Sequence, residues 1–299
     1  MPDSLQTLIE QKRSFIPADT DAYRISDGDT WRGIFIDALG DRLLISTRDR
    51  AIPADLLVQL RSLQTPTYHK QLDKDNKQPP THLCGPEAPL QYTIRENGIL
   101  YRIDMAAGYS QGLFLDQREN RRRILKRSRP GQKILNTFAY TGAFSVCAAL
   151  GGAETTTLDL AQPCLDWARE NFRLNGLDPA AHHYCKGDTL HWLDRFAKQE
   201  RRFNGIILDP PTFSRDAKGR IWRVETGYGD LARKAAACLA PGGWLLCTTN
   251  CRKLGHEDFR SILRQALPGA RLVSYPMPPE YTGEDYLKCI WAETAAIPL

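Results

Sequence analysis

Lys133-Ile-Leu-Asn-Thr-Phe-Ala-Tyr-Thr-Gly-Ala-Phe144 is the stretch on which the reading of this chain turns. Ile134-Leu135 is a short apolar run, the signature of a buried strand. After a turn, Ala143-Phe-Ser-Val-Cys-Ala-Ala-Leu150 is apolar enough for a core-facing helix. Gly142 opens that helix, where a missing side chain is expected to let a ligand approach the backbone. Strand, tight turn and helix N-terminus together predict the ligand-binding corner of a doubly wound α/β sheet.

The corner has no phosphate cradle. A pyrophosphate needs several glycines and bare N–H groups, as in G-x-G-x-x-G. Here one glycine stands among Phe138, Tyr140 and Phe144. Aromatic faces suit an uncharged or cationic ligand better than an anionic one. S-adenosylmethionine, with a positive sulfonium and no phosphate, meets that description. An ordinary α/β turn with no ligand meets it too.

Downstream the pattern alternates. Strands are predicted at 155–160, 182–186, 203–208 and 242–249, with helices at 161–175, 191–198 and 254–267. Two final strands at 271–275 and 286–293 form an edge pair. Such alternation argues for a parallel sheet. Asp159, Asp188 and Asp209 each follow the end of a strand, on the edge where open α/β sheets bind ligands. Asp159 has the spacing from Gly142 expected of ribose recognition, and Asp188 is placed to accept from an adenine amino group. Each could instead merely cap a helix. In Asp209-Pro-Pro-Thr-Phe213 two prolines stiffen the turn and remove two donors. Asp209 and a backbone carbonyl then form an acceptor pair for a planar amine, with Pro210 beside them and Phe213 placed to stack on a flipped base. A rigid strand exit with Phe213 in the core is the plainer alternative.

Upstream, residues 1–104 read as a small α+β domain. A helix is predicted at 4–12, strands at 31–37 and 42–47, and a helix at 52–63. Residues 64–89 carry five prolines and read as a long surface loop, mobile in character. Strands at 90–95 and 99–103 turn at Asn97-Gly98. Residues 105–299 make the second domain. It opens with an Arg-rich helix capped by Asp116 and stopped at Pro130-Gly131. From Asp116 to Lys133 there are eight Arg and Lys against two acids, a local +6, so the rest of a chain of net charge +5 sums to −1. This basic patch is either a solvated face packed through Ile124 and Leu125, or a phosphate-contacting surface with Arg121, Arg122 and Lys126 as its contacts.

Composition is that of a globular chain, 42% hydrophobic and 25% charged. Met1 to Phe15 is polar and lacks the apolar run of a signal peptide, no stretch approaches bilayer-spanning length, and the eight cysteines include no C-x-x-C pair. A cytoplasmic location with reduced thiols is expected, with no membrane partner. No metal is expected, since Cys247, Cys251 and His256 lack a fourth ligand for zinc.

The strings Phe114-Leu-Asp-Gln-Arg118, Asn136-Thr-Phe-Ala-Tyr-Thr-Gly142, Asp159-Leu160, Gly187-Asp188, Asp209-Pro-Pro-Thr-Phe213 and Tyr286-Leu-Lys288 occur in one order. In them the chain resembles class I S-adenosylmethionine-dependent RNA methyltransferases. The likeness is to the bacterial large-subunit (23S) ribosomal RNA methyltransferase I group and to the K domain of the bifunctional K/L enzyme. Asp21-Ala-Tyr-Arg24 and Ile36-Asp-Ala-Leu-Gly-Asp41 resemble the small domain preceding the catalytic one in methyltransferase I. The resemblance implies a Rossmann-like, seven-stranded methyltransferase sheet, with S-adenosylmethionine as cofactor and ribosomal RNA as partner. It implies Asn136, Phe138, Tyr140 and Gly142 at the methionine end, Asp159 on the ribose and Asp188 on the adenine. Asp209 would face the target base, and Phe114 and Arg118 would close the cofactor site. Methyltransferase I members begin with an RNA-binding PUA domain, for which residues before Asp21 leave no room. RNA contact would then fall to the basic helix and the small domain. The sequence leaves a homo-oligomer open.

The target atom stays open as well. Methylating carbon 5 of cytosine needs a thiolate to attack carbon 6. Cys251 is the candidate, with Arg252 and Lys253 as neighbours that would favour its thiolate. An ungapped placement, however, sets the family's catalytic cysteine on Asn250. Asn followed by basic residues fits the K-domain pattern equally, and that domain methylates guanine N7 without a thiol. Two further readings are a protein that holds S-adenosylmethionine and RNA without catalysis, and a methyltransferase acting on another substrate. A nicotinamide dehydrogenase is disfavoured by the glycine-poor turn.

Overall fold

The computed structural model describes residues 4–48, 51–72, 78–108, 110–215 and 221–294. The chain forms two compact units, Met1–Glu119 with Pro278–Asp285, and Asn120–Met277 with Tyr286–Leu299. The division therefore falls after Glu119, not at 104, and a late segment returns to the first unit.

In the first unit, α1 (Leu5–Arg13) starts at Ser4, whose Oγ accepts from the Thr7 N–H. Then come β1 (Ala22–Asp27), β2 (Ile34–Leu39), β3 (Arg42–Thr47), α2 (Ala54–Ser62), β4 (Thr67–Gln71) and β5 (Thr81–Cys84). The strands form a five-stranded sheet in chain order, with only the β3–β4 pair parallel, because α2 carries the chain back across. Leu5, Ile25, Ile36, Ile45, Leu56 and Leu60 fill its core. The expected loop at 64–89 is thus corrected: it contains β4 and β5, its residues 73–77 lying outside the described ones. Apolar counting misses β4 because it buries Thr67, Tyr68 and Lys70, whose polar tips find carbonyls. Tyr68 Oη donates to Ala88 O and Lys70 Nζ to Gly108 O. β6 (Gln91–Glu96) and β7 (Ile99–Asp104) form a hairpin. Asn97 and Gly98 both take positive φ, +51° and +77°, as a type I′ turn requires. A 3₁₀ turn at Leu115–Gln117 leads into α3 (Arg118–Arg127). Asp116 lies inside that turn and is not the cap.

The second unit alternates β8 (Lys133–Thr137), α4 (Ala143–Leu150), β9 (Glu154–Asp159), α5 (Gln162–Leu174), β10 (His183–Lys186), α6 (Thr189–Lys198) and β11 (Phe203–Leu208). A short hairpin, β12 (Phe213–Arg215) and β13 (Ile221–Arg223), precedes α7 (Val224–Ala236), β14 (Leu239–Thr249), α8 (His256–Ala266), β15 (Arg271–Ser274) and β16 (Lys288–Glu293). The seven-stranded sheet has the order β10-β9-β8-β11-β14-β16-β15. It is parallel as far as β14, while β16 runs antiparallel to both its neighbours. The last strand in the chain thus slots inside the edge strand. Leu135, Ile206, Leu208 and Leu245 join Tyr228, Leu231, Phe259 and Leu263 of α7 and α8 in one apolar cluster. Ile134, Ile207 and Leu246, the alternate positions, are equally buried. Burial on both faces explains why these strands read as continuous apolar runs.

Candidate functional site

Parallel register brings the strand ends into one row. Asp159 pairs with Lys186, Thr137 with Leu158 and Leu208, and Leu208 with Cys247. Strand order reverses at β8, between β9 and β11, and a crevice opens at such switch points. The turn Phe138–Gly142 stands there, with Asp159 on one side and Asp209 on the other.

This turn is strained. Phe138 and Tyr140 have φ of +51° and +49°, left-handed values costly for side-chain-bearing residues. Three hydrogen bonds hold it. Asp159 Oδ2 accepts the Tyr140 N–H at 2.8 Å, Leu158 O accepts the Ala139 N–H at 3.0 Å, and Asn171 Nδ2 donates to Thr141 O at 2.9 Å. Asp159 Oδ1 also accepts the Ala161 N–H. Burial raises the Asp159 pKa above the usual carboxylate value, against those backbone bonds. Beneath the turn, buried Asn136 donates to Ser145 Oγ while its Oδ1 has no partner among the described residues. Thr157 Oγ1 donates to the same Ser145 Oγ.

Gly142 carries a packing constraint of its own. Its φ is +72°, and an added Cβ would lie 2.6 Å from the Ala168 Cβ of α5. The position needs glycine for backbone shape and helix packing. Asp188 is exposed and caps α6, its Oδ1 accepting the His191 N–H at 2.9 Å. Asp209 accepts from Thr248 Oγ1 at 2.6 Å across the β11–β14 pair. Tyr228 Oη donates to the preceding carbonyl, Leu208 O, and Pro210 is buried, so the exit from β11 is fixed from both sides. Phe213 is 44% exposed, not in the core.

The remaining expected site residues divide between the two units. Phe114 and Arg118 belong to the first unit, where Phe114 is exposed and Arg118 is buried. The Arg118 guanidinium makes two hydrogen bonds to buried Glu280, one of them 2.8 Å long. Arg121, expected on phosphate, is 2% exposed with its guanidinium over the Phe144 ring. That correction reduces the outward basic set of α3 to Arg122 and Lys126, because Arg123 stacks on Tyr275 and Arg127 pairs with Glu293. Cys251 is buried in the apolar cluster with Leu254 and Phe259, whereas Asn250 before it is exposed. Lys288 Nζ donates to the Cys251 carbonyl and to Tyr286 O. Arg252 and Lys253 are exposed, with Arg252 over the Tyr286 ring.

Sequence reading missed Asn171, Thr248 and Lys288 as supports. Asn171 did leave a signal, a polar residue on the stripe Leu165, Ala168, Phe172 that α5 buries. Thr248 left none, since it acts across a strand pair, and Lys288 stood in the string Tyr286-Leu-Lys288 without its contacts being legible. No group of three metal-ligating side chains occurs among the described residues, and no helix there is long and apolar enough to cross a membrane.

The donor set suits an adenosine-type ligand with a cationic centre. Carboxylates and aromatic rings line the corner, and an orphaned buried acceptor, Asn136 Oδ1, lies beneath it. Residues 80–289 match the S-adenosylmethionine-dependent methyltransferase family. Ribosomal RNA large subunit methyltransferase I of Aeromonas salmonicida is 33% identical over 258 residues, 82% of this chain and 64% of that one. Ribosomal RNA large subunit methyltransferase K/L of Alcanivorax borkumensis is 39% identical over 174 residues, 58% of this chain and 24% of that one. The chain thus spans less than two thirds of the length of these relatives. The crystal structure of SMU.776 complexed with SAH superposes with a TM-score of 0.87 at 29% identity, covering 97% of this chain and 80% of that one.

Proposed function

The chain belongs to the S-adenosylmethionine-dependent methyltransferase family, and we propose that it transfers the cofactor's methyl group to a base nitrogen of RNA, with ribosomal RNA as substrate. One observation carries this reading. The Thr248-held Asp209 and the Asp159-locked turn flank β8 at the switch point, so a cofactor corner and a base-facing acceptor share one strand edge.

When bound, the cofactor supplies an electrophilic methyl on a sulfonium. Asp159 binds the ribose hydroxyls with the lone pairs its two N–H bonds leave over, and Asp188 accepts from the adenine amine while capping α6. Phe138 and Tyr140 flank the methionine end, where ring faces favour the cation. Asp209 orients the target base and accepts a proton where the target nitrogen carries one. Thr248 fixes the carboxylate's direction, so transfer gains chiefly from alignment. A nitrogen target is favoured because Cys251 is packed as a small hydrophobe while exposed Asn250 directly follows the strand. Arg122 and Lys126 supply phosphate contacts. The small domain, residues 1–104 in the sequence reading, would share the RNA contact. A cytoplasmic setting fits an RNA substrate of this kind.

The test is transfer of label from methyl-tritiated S-adenosylmethionine to deproteinised ribosomal RNA, followed by digestion to nucleosides. Expected is a labelled N-methyl nucleoside, lost in Asp209→Ala while cofactor binding persists. Labelled 5-methylcytosine that disappears in Cys251→Ser would overturn the nitrogen target. Full activity in Asp209→Ala would sink the role given to that residue.

A further inference from the structure

The hairpin β12–β13, which the transfer scheme leaves unused, has two unlike faces. On one, Trp222 packs against the apolar cluster and onto α7. A Cβ at Gly227 would lie 2.2 Å from Trp222 Nε1, so that helix residue must be glycine for the indole to seat. On the other face, Phe213 stands directly opposite Arg223. The guanidinium lies 5.3 Å from the ring centroid, and Phe213 and Arg223 are both exposed. Next along, Ile221 is 51% exposed. Among the described residues no carboxylate pairs with Arg223. The hairpin begins four residues after Asp209, and the Val224 N–H donates to Thr212 O at 3.2 Å, closing its base.

Resting on the reading that the substrate is RNA, we propose that the Phe213–Arg223 face of this hairpin is a stacking platform for an unpaired nucleotide beside the target base. A half-buried tryptophan packed on the apolar cluster anchors the platform, while an aromatic ring, a planar cation and an aliphatic patch face solvent. Those three surfaces match a single-stranded nucleotide: the ring takes a base face, the guanidinium takes an adjacent phosphate or a second base, and the isoleucine covers the sugar. A duplex offers no free base face and would gain nothing from the ring. The platform therefore selects unpaired RNA, and Arg223 is a substrate-positioning residue.

The experiment measures affinity of the full chain for a 12-nucleotide single-stranded RNA carrying 2-aminopurine and for a blunt RNA duplex of equal length. Stacking quenches the 2-aminopurine fluorescence. Wild type should bind the single strand with quenching. Phe213→Ala and Arg223→Ala should each weaken it on the order of tenfold or more. Phe213→Trp should retain quenching, and Arg223→Lys should recover only the salt-dependent part. Cofactor affinity in Arg223→Ala should match wild type, which also shows that variant is folded. Unchanged single-strand affinity and quenching in both alanine variants, or equal preference for the duplex, would overturn the platform. Methylation of ribosomal RNA is scored separately. Label transfer with an indifferent hairpin refutes only the platform, and hairpin-dependent binding without label refutes only the catalytic reading.

Discussion

Asp159→Asn separates the two duties given to this carboxylate. In the wild type it accepts two backbone N–H groups, one of which keeps Tyr140 at a left-handed φ. An asparagine oxygen can keep one of these bonds, but its amide nitrogen then faces an N–H. Hydrogen bonds to a charged group contribute about 1.5–3 kcal/mol each. Losing one to the cofactor ribose should weaken S-adenosylmethionine binding roughly 10- to 150-fold. Titration calorimetry from pH 4 to 8 adds a sign that structure alone would not give. Burial raises the Asp159 pKa. The ionised form binds hydroxyls, so wild-type affinity should rise as pH rises through that elevated value. The stability of the ligand-free protein has the opposite slope from this group. The folded state holds the proton more tightly than the unfolded one between the ordinary and the raised pKa, so ionisation costs stability there. Asp159→Asn should abolish both slopes. An affinity within twofold of wild type at pH 7.5, or wild-type and variant pH profiles that superimpose, would refute the assignment.

Three perturbations test the supports. Glu280→Ala strands the buried Arg118 guanidinium and should cost about 3–5 kcal/mol in urea unfolding, with Glu280→Gln costing less; a loss under 1 kcal/mol would show that water reaches the pair. Gly142→Ala forces a Cβ into Ala168 at a left-handed φ and should cost about 1–3 kcal/mol, so an unchanged melting curve would contradict that packing. Asn171→Ala leaves the Thr141 carbonyl without its donor. It should lower stability by about 1–3 kcal/mol and weaken cofactor binding without altering its pH profile, since Asp159 is intact; a changed pH profile would argue otherwise.

The sheet was legible because turn residues punctuate its strands. Gly176 with φ +68°, Gly187, and the proline pair after Asp209 mark boundaries that periodicity alone would blur. The placing of three acids at strand ends followed from the same punctuation. What each acid touches did not, because that depends on register. Asp209 meets a threonine 39 positions later, and Asp159 folds back onto the turn before it. β4 was hidden for another reason. Its buried side chains are Thr, Tyr and Lys, and their burial depends on carbonyls supplied by distant loops.

The arginine helix shows most plainly how charge counting differs from charge placement. Eight basic residues between Asp116 and Lys133 suggest an electrostatic surface, yet desolvation decides where each guanidinium can stay. Arg118 is sealed against Glu280 at a separation of 162 residues, Arg127 pairs with Glu293 at 166, and Arg121 and Arg123 lie over aromatic rings. Arginine serves such positions better than lysine because its flat, weakly hydrated head stacks and forks. A cluster that charge counting leaves open to a polyanion is therefore spent largely on holding distant strands and loops. The planar cation of the proposed platform is Arg223, exposed beside Phe213 in a segment, 213–223, that itself carries four Arg and Lys against one acid.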